Sequence, residues 1–570
     1  MTTVAIVGSG PSAIYALQGL LKSAYPIQVT LFEAGDIAGV GTPYDPRTNP
    51  IEMLANIASI EIPPVGITLL EYLTRCPADR LAEIGVDPGD LSERAFFPRV
   101  ALGSYLRDRL SALAEGASER GHAVVVLTRT RVVDVIPADV GADVRYLGRG
   151  RSMSAQRFDK VILATGHTVP SARNGAQAPA LPSAAPNARA IGVFGSSLSA
   201  IDLAVSLAFA RGSFADGAYA LNSGQPPFVI TMMSRGGRLP EADFFCPLPA
   251  RPIDGFAAED VEAAMEQAEP GSLLEAVFAH FAKTLGLADP EYGRRIGLET
   301  LSVDTFADAY FAERDAQEPF AWARRNLEES RRNHRARHVV PWRYAILQCH
   351  EAFGLCVDKL DENELKRFAG GMKRVFADNY AAVPPLSVER LLALHDVGVL
   401  KVVKLDGDYD LETDEATGNS TVTSDGTAMS FDVVFDARGQ AAALEGEFPF
   451  PSLRMLLMAN RDLDLDRGGG AIRIDANYQL ADGINPLRNV WCLSLPFLLD
   501  RKPFIQGLTS ASDMGKASAE AILSDMPEMT SQPAPTLASL IDVVAATETV
   551  MLPKGAIVLA PKAPRANMMA

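Results

Sequence analysis

Short apolar runs alternate along this chain with segments whose apolar residues recur at helical spacing. The first run covers residues 4–7 and stops at Gly8, a helical segment follows it, and a second run covers residues 29–32. Apolar runs of this length predict strands that are buried on both faces. Because helical segments separate these runs, the pattern predicts an α/β fold with parallel sheets.

The turn after the first run has the form Gly-x-Gly-x-x-Ala. It consists of Gly8, Ser9, Gly10, Pro11, Ser12 and Ala13. Gly8 permits a tight strand-to-helix turn, Gly10 lets a pyrophosphate approach the backbone, and Ala13 lets the helix pack closely on the strand. Glu33 ends the second run, where a carboxylate accepts hydrogen bonds from ribose hydroxyls. This fingerprint predicts a site for FAD or NAD.

A second and weaker copy of the fingerprint follows the apolar run at residues 190–194. It consists of Gly195, Ser196, Ser197, Leu198 and Ser199. Ser197 takes the place of the second glycine, and its small side chain and free N–H still admit a phosphate. Arg235 and Arg238 follow the next run, where guanidinium groups suit a ribose 2′-phosphate; two solvated surface arginines are the alternative interpretation. The two copies predict FAD at the first site and NADPH at the second.

Three further segments are ordered as in a chain with two dinucleotide domains. The run at residues 158–163 leads into a short tripeptide: Ala164, Thr165 and Gly166. Residues 432–439 repeat this pattern, with Arg438 in place of the threonine. Residues 489–494 predict a last strand, and a final helical segment starts after a second tripeptide: Gln506, Gly507 and Leu508.

This order of motifs, over about residues 1–525, resembles class B flavin monooxygenases and the N-hydroxylating monooxygenases. More closely, the segments Gly-Val-Gly-Thr-Pro-Tyr-Asp at residues 39–45 and Met-Leu-Ala-Asn-Ile-Ala-Ser at residues 53–59 resemble a bacterial group of FAD/NAD(P)-binding proteins. That group includes enzymes that oxidise the amino group of aspartate toward nitrosuccinate. The resemblance implies two Rossmann-like domains, for FAD and for NADPH, with a helical insertion.

The resemblance also implies roles for single residues. An asparagine in a comparable loop of flavin monooxygenases points at the flavin ring, so Asn56 inherits that role; a loop asparagine bonded to its own backbone is the alternative. Ala-Thr-Gly marks the crossing from the FAD domain toward the NADPH domain, and the turn before the closing helix lies beside the isoalloxazine. The Gly-Asp expected after the last strand is replaced by Ser494-Leu495-Pro496. Further FAD contacts are implied at Ala34, Gly41 and Tyr44.

These motifs divide the chain into five predicted segments. They are the first part of the FAD-binding domain at 1–170, the NADPH-binding domain at 185–250, a helical insertion or substrate subdomain at 251–400, the return to the FAD-binding domain at 401–525, and an irregular tail at 526–570. Within the insertion, Arg343 is a candidate clamp for a substrate carboxylate because its planar fork binds such a group bidentately; a structural role is the alternative.

Charge and cysteine content exclude several classes of function. The net charge of −17 argues against a nucleic-acid partner. The five cysteines form no Cys-x-x-Cys pair, which argues against a disulfide reductase and suits a reducing cytoplasm. We expect neither a metal site nor a membrane span, and the sequence from Met1 into the first strand predicts no signal peptide.

The function predicted from these features is that of an NADPH-dependent FAD monooxygenase. It would oxidise or hydroxylate the amino group of a small, aspartate-like amino acid with O2, through a flavin C4a-hydroperoxide. The expected partners are this small-molecule substrate and O2, and a homo-oligomeric state stays open. One alternative is an FAD-dependent NAD(P)H reductase or dehydrogenase that passes electrons to a quinone or carrier. Another is a non-enzymatic sensor or scaffold that keeps the folds without turnover.

Overall fold

The fold is that of a computed structural model, which describes most of the chain. The described residues are 1–148, 152–166, 176, 187–248, 250, 253–414, 417–439, 442–443, 445–459, 472–481, 486–505, 507–526 and 557–559. The predicted tail therefore lies largely outside them, and so does Gln506.

The amino-terminal part of the chain forms the centre of a parallel sheet. Its elements are β1 (Thr2–Val7), α1 (Pro11–Leu20), β2 (Ile27–Phe32), α2 (Leu69–Arg75), α3 (Ala78–Glu83), α4 (Arg99–Glu119), β3 (Ala123–Leu127), β4 (Arg131–Pro137), β5 (Ala142–Leu147), β6 (Met153–Phe158) and β7 (Lys160–Leu163). In this sheet β1 pairs in parallel with β2 and β7, and β2 pairs in parallel with β3. All residues of β2 and β7 are buried, as continuous apolar runs predict.

A second parallel sheet begins with the next apolar run and is interrupted by helices. The first elements of this part of the chain are β8 (Ala190–Phe194), α5 (Leu198–Phe209), β9 (Gly212–Ala215), β10 (Ala218–Leu221) and β11 (Val229–Ser234), of which β9 and β10 form a separate antiparallel pair. The helices that follow are α6 (Ala258–Glu266), α7 (Leu273–Ala288), α8 (Pro290–Ile296), α9 (Phe306–Asp315), α10 (Pro319–Ala336), α11 (Pro341–Gly354), α12 (Glu362–Gly370), α13 (Met372–Tyr380) and α14 (Pro385–Asp396).

The chain then returns to the second sheet and afterwards to the first. β12 (Leu400–Lys404) and β16 (Val433–Asp436) complete the second sheet. Between them along the chain, a separate antiparallel sheet is formed by β13 (Asp410–Thr413), β14 (Ser420–Ser424) and β15 (Thr427–Phe431). The last elements are α15 (Pro451–Ala459), β17 (Arg473–Ile474), β18 (Gln479–Ala481), β19 (Pro486–Cys492), α16 (Leu508–Ser524) and β20 (Ile557–Leu559). β19 pairs in parallel with β7, and β20 pairs antiparallel to β3.

The two parallel sheets have the same topology. Around β1 the strand order is β3-β2-β1-β7, and around β8 it is β12-β11-β8-β16, so each sheet orders its strands third, second, first, fourth. In each unit a separate antiparallel three-stranded meander, β4–β6 or β13–β15, lies along the chain between the third and the fourth strand of the parallel sheet. The predicted fold, with two Rossmann-like units and a helical insertion, is confirmed.

The predicted return to the FAD-binding domain at residue 401 needs correction. β12 pairs with β11, and β16 pairs with β8, so both strands belong to the second sheet. Residues 432–439 are therefore the fourth strand of the second unit and its turn, the counterpart of β7, and the chain crosses back only after them. The sequence did not reveal this because the apolar pattern of a strand does not indicate the sheet in which it pairs.

The helical region is divided between two cores. Helices α6–α9 and α11–α13 contribute to one apolar cluster that includes Phe281, Phe306, Phe353 and Phe376. α14 and part of α10 instead pack on the second sheet, where Leu391 joins the core of that unit. The described helices include none with both the length and the apolar composition that a bilayer crossing requires.

Helices α1 and α16 pack closely in the first unit because small residues face each other. A Cβ added to Gly515 of α16 would lie 2.6 Å from the backbone nitrogen of Ala16, and one added to Gly19 would lie 2.5 Å from the Cβ of Ala519. The closing helix therefore depends on glycine at residue 515.

We expect Gly515→Ala to lower the thermal midpoint (Tm), because overpacking against backbone atoms costs about 1–3 kcal/mol. Differential scanning calorimetry of the full chain measures this change. Gly116→Ala in α4 is the matched control, because its Cβ would meet no atom within 4 Å. In a helix interior alanine is about 1 kcal/mol more favourable than glycine, so this variant should not lower the Tm. Equal Tm values for the two variants would contradict the close packing.

Candidate functional site

The first predicted turn adopts the conformation that its glycines allow. Gly8 has a φ of +105°, and a Cβ at this residue would lie 2.1 Å from the carbonyl oxygen of Ala164. The Gly8 N–H donates to the carbonyl of Phe32 at 2.8 Å, which ties the turn to the end of β2. The end of β1 therefore lies directly between the ends of β2 and β7, as a dinucleotide fingerprint requires.

The start of α1 is open to an anion. Gly10 is the N-cap of this helix, Pro11 is its first residue, and no side chain caps its amino-terminal N–H groups. Such groups attract phosphate because the helix dipole adds to their hydrogen bonds. Ser12 lies in the first turn of the helix, and Ala13 is fully buried against the sheet. These residues fit the pyrophosphate of a dinucleotide.

Ser9 connects the fingerprint to Glu33, the acid that is predicted to bind the ribose, and the sequence did not reveal this connection. Its hydroxyl donates to Glu33 Oε2 at 2.6 Å and accepts the N–H of Gly39 at 3.1 Å. The other carboxylate oxygen of Glu33 accepts the N–H of Gly35 at 2.6 Å. The carboxylate is thus held at the end of β2 beside Ala34, which is exposed.

The second turn repeats this geometry. Gly195 has a φ of +109°, and a Cβ on it would lie 2.7 Å from the carbonyl oxygen of Ala437. Its N–H donates to the carbonyl of Met233 at 2.7 Å. Ser197 is the N-cap of α5, which starts with Leu198 and Ser199, and no side chain caps this helix. The second unit therefore also fits a pyrophosphate.

The acid of the first unit has no counterpart in the second. Phe32 and Met233 accept equivalent hydrogen bonds from the turn glycines, so the residue after Met233, Ser234, corresponds to Glu33. The Ser196 hydroxyl lies 2.9 Å from that of Ser234 and donates to the carbonyl of Arg238 at 2.5 Å. A neutral hydroxyl thus replaces the carboxylate, which removes a charge that would repel a 2′-phosphate.

The two predicted 2′-phosphate arginines differ in their surroundings. Arg235 directly follows Ser234 and is exposed. The Arg238 guanidinium instead forms a two-point ion pair with Asp315 at the end of α9, and it stacks 3.9 Å from the ring centroid of Phe311. Arg235 alone of the two is therefore open to solvent without displacing a partner.

The Ala-Thr-Gly segment is bonded to the end of the last parallel strand. Thr165 places its hydroxyl 2.8 Å from that of Ser494, and its N–H donates to the same oxygen at 3.2 Å. The Ser494 hydroxyl in turn donates to the carbonyl of Leu163 at 3.2 Å. Ser494, which replaces the expected Gly-Asp, thus joins β7 to β19; Ala164 is buried, and Gly166 has a φ of +72°.

The closing helix α16, like α1 and α5, begins without a side-chain cap. Gly507 is the exposed N-cap of α16, with a φ of +99° and no side-chain cap, and Leu508 is buried. Gln506, the other predicted contact in this segment, lies outside the described part of the chain.

The loop that carries Asn56 lies where the two dinucleotide units meet. Arg99 donates to the carbonyl of Leu54 at 3.2 Å and pairs with Asp202 of α5 at 2.5 Å. Arg390 of α14 donates to the carbonyl of Glu52 at 2.7 Å. The Asn56 side chain itself is half-buried and has no hydrogen-bond partner among the described residues. The loop is fixed from the second unit, while the Asn56 amide stays free for a ligand.

The segment that precedes this loop covers the first fingerprint. Gly41 has a φ of +64°, and a Cβ on it would lie 3.2 Å from the Cα of Gly10. Tyr44 follows in a short 3-10 turn, and burial raises the pKa of its hydroxyl to about 12. The predicted residues Gly41, Tyr44 and Asn56 therefore lie on one stretch that runs from the fingerprint to the junction of the two units.

Arg343 has different partners from those that the sequence predicted. Its side chain is 6% exposed, and its guanidinium pairs with Glu241 and lies 3.8 Å from the carboxylate of Glu329. Burial lowers its pKa to about 10. Because internal carboxylates occupy this side chain, the structure does not present it as an open clamp for a substrate. Burial and charge pairing are non-local, so the local sequence did not reveal them.

Comparisons with known proteins place this geometry in a family. Residues 5–168 match the FAD-NAD(P)-binding family, and residues 257–380 match the YdhS-like middle domain. The YdhS protein of Escherichia coli (strain K12) is 38% identical over 534 residues, which cover 92% of this chain and 98% of that protein. The chain belongs to the YdhS family. It has an FAD-NAD(P)-binding domain, and the middle domain of the family corresponds to the cluster of helices α6–α13.

Among solved structures, the similarity is more distant. The ornithine N-hydroxylase KtzI of Kutzneria sp. 744 has 14% identity and a TM-score of 0.46, over 91% of this chain and 98% of that chain. The ornithine hydroxylase PvdA of Pseudomonas aeruginosa has 12% identity and a TM-score of 0.49, over 92% of this chain and 99% of that chain.

The pair of serines Ser9 and Ser196 gives a test of the two sites in this family member. We expect Ser9→Ala to weaken FAD binding about ten-fold, because a hydrogen bond to a charged carboxylate is worth about 1.5–3 kcal/mol. Ser196→Ala should leave FAD binding unchanged and weaken NADPH binding by about 2- to 10-fold. Fluorescence titration of both nucleotides into both variants measures this, and equal effects on FAD would contradict the assignment.

Proposed function

We propose that this protein is an NADPH-dependent flavin monooxygenase that oxidises the amino group of a small, aspartate-like amino acid. The observation that carries the proposal is the free Asn56 amide at the junction of two uncapped dinucleotide sites. The resemblance of residues 39–45 and 53–59 to the nitrosuccinate-forming group supports the substrate class. When bound, FAD and NADPH supply hydride transfer and the activation of oxygen.

The residues of the chain have separate tasks in this proposal. The start of α1 binds the FAD pyrophosphate, and Glu33 binds the ribose hydroxyls. The start of α5 and Arg235 bind the phosphates of NADPH, and Ser234 spares the 2′-phosphate a repulsive charge. Asn56 donates a hydrogen bond at the reacting end of the flavin. The position of a side chain or an uncapped helix at a strand end supports each of these tasks except that of Asn56, which rests on the resemblance to flavin monooxygenases.

The helical region would exclude water from the reacting groups. Phe504, which precedes α16, packs against its aromatic side chains: the ring centroids of Phe376 and Phe504 are 5.4 Å apart, and those of His350 and Phe504 are 5.6 Å apart. Burial lowers the pKa of His350, so its ring is neutral at physiological pH. An amine reacts as a nucleophile only when neutral, and a dry, uncharged surrounding favours that form.

The four buried thiols offer no chemistry that competes with this proposal. Burial raises the pKa of four thiols to about 12: Cys246, Cys349, Cys356 and Cys492. A disulfide reductase needs a reactive thiolate beside the flavin, and thiols with such pKa values stay protonated at neutral pH. An electron-transfer role without thiols, to a quinone or carrier, is an outcome that the experiment on Asn56 distinguishes.

We expect the wild-type protein to consume O2 in proportion to hydroxylated amine when aspartate is the first amine tested. Asn56→Ala should keep FAD but divert most of the consumed O2 to hydrogen peroxide, because it removes a hydrogen bond at the reacting end without altering either fingerprint. An oxygen electrode with a peroxide assay measures the ratio.

The exposed Asn222, which follows β10, gives a matched control, Asn222→Ala, that should remain coupled. Peroxide as the sole oxygen product in wild type, with every carboxylate-bearing amine, would favour the electron-transfer alternative instead.

Coenzyme choice gives an independent test. Arg235→Ala should raise the KM for NADPH about ten-fold and leave that for NADH unchanged, because one charge-assisted contact to the 2′-phosphate is lost. Steady-state NAD(P)H oxidation measures both constants. Arg332→Ala, at an exposed position of α10, is the control for surface charge. Unchanged NADPH kinetics in Arg235→Ala would refute its assignment.

A further inference from the structure

A cavity of about 240 Å³ lies between the end of β11 and the connection from α9 to α10. Its lining includes Gly237, Arg238, Asp315, Gln317, Trp322 and Lys404. The cavity thus has one wall from the second dinucleotide unit and one from the helical region. Because Ser196 of the second fingerprint donates to the carbonyl of Arg238, the cavity adjoins the place where the adenosine ribose is expected.

The positive groups around this cavity are not equally available. Arg314 binds both carboxylate oxygens of Asp378 at 2.9 Å and the carbonyl of Leu239 at 2.6 Å, so its guanidinium is occupied. Lys404 is exposed and has no ion pair among the described residues. The Arg238 guanidinium faces the cavity but is held by Asp315.

In the Arg238–Asp315 pair, the guanidinium is packed against a neighbouring ring, and the carboxylate is the more exposed of the two partners. The Arg238 side chain is 17% exposed and lies against the ring of Phe311, whereas the Asp315 side chain is 37% exposed. Asp315 is the last residue of α9, where the helix dipole disfavours a negative charge. Arg238 is the ion-pair partner that compensates this carboxylate, and the neighbouring Arg314 also attracts it. An anion that takes the place of Asp315 at the Arg238 guanidinium releases the carboxylate to solvent.

A phosphate and a carboxylate compete for the same planar donor fork. We propose that Asp315 sets the coenzyme selectivity of this protein: it occupies Arg238 in the free protein and must be displaced by the 2′-phosphate of the coenzyme. This inference rests on the proposed NADPH site. It adds that a residue of the helical region, outside both fingerprints, determines how strongly the second unit binds a 2′-phosphate.

The test compares Asp315→Asn with wild type in the full, FAD-loaded protein. Isothermal titration calorimetry at low salt measures the Kd of adenosine 2′,5′-bisphosphate, of 5′-AMP and of inorganic phosphate. We expect Asp315→Asn to bind the bisphosphate about ten-fold more tightly and to leave the Kd of 5′-AMP unchanged, because only the former carries the 2′-phosphate. Asp315→Ser should act in the same direction, which guards against an effect particular to asparagine.

Glu313→Gln is the matched control, because Glu313 lies on the same helix and pairs with Arg325 at 3.0 Å, away from the cavity lining. It should change no Kd. A bisphosphate Kd that is unchanged or weaker in both Asp315 variants, while wild type prefers the bisphosphate to 5′-AMP, would overturn the role of Asp315 alone. Equal binding of both nucleotides by wild type and variants would overturn the NADPH site as well. Tighter binding of inorganic phosphate, without a gain for the bisphosphate over 5′-AMP, would show a general anion site and also refute the inference.

Discussion

Both dinucleotide units depend on one close contact, between the glycine that ends the first strand and the carbonyl that follows the fourth. A Cβ would lie 2.1 Å from the Ala164 oxygen at Gly8 and 2.7 Å from the Ala437 oxygen at Gly195. Because glycine permits this approach, the first strand lies between its neighbours with the register that starts α1 and α5 at the sheet edge. The phosphate sites and the ribose sites are consequences of that register.

The two units share this scaffold but differ at the position that is predicted to contact the ribose. Glu33 and Ser234 follow equivalent backbone hydrogen bonds, and each is bonded to a serine of its own fingerprint, Ser9 or Ser196. A carboxylate favours an unmodified ribose, and it repels a 2′-phosphate at close range in a site of low dielectric constant. The replacement of a carboxylate, Glu33, by a hydroxyl, Ser234, at equivalent positions therefore lets the second unit accept a 2′-phosphate without any change of fold.

Local features were predictable from the sequence, and non-local ones were not. The glycine turns and Glu33 are set by residues near them in the chain, so their positions agree with the predicted pattern. The assignment of β12 and β16 to the second sheet depends on strands far away in sequence, which apolar periodicity does not identify. Likewise, the partners of Arg343 and Arg238 come from distant helices and loops, and sequence spacing contains no trace of such ion pairs.

Buried ion pairs and hydrogen bonds hold the helical region against the second unit. Glu241, which follows β11, pairs with Arg343 of α11 and accepts the indole N–H of Trp322, while Arg314 binds Asp378 and the carbonyl of Leu239. Such pairs add little net stability after desolvation, but removal of one partner leaves an uncompensated buried charge. The α9–α10 connection is consequently held against the end of β11. A coenzyme that altered the contacts of Arg238 would therefore act at the interface that holds the helical region against the second unit, because Asp315 and Arg314 are neighbours at the end of α9.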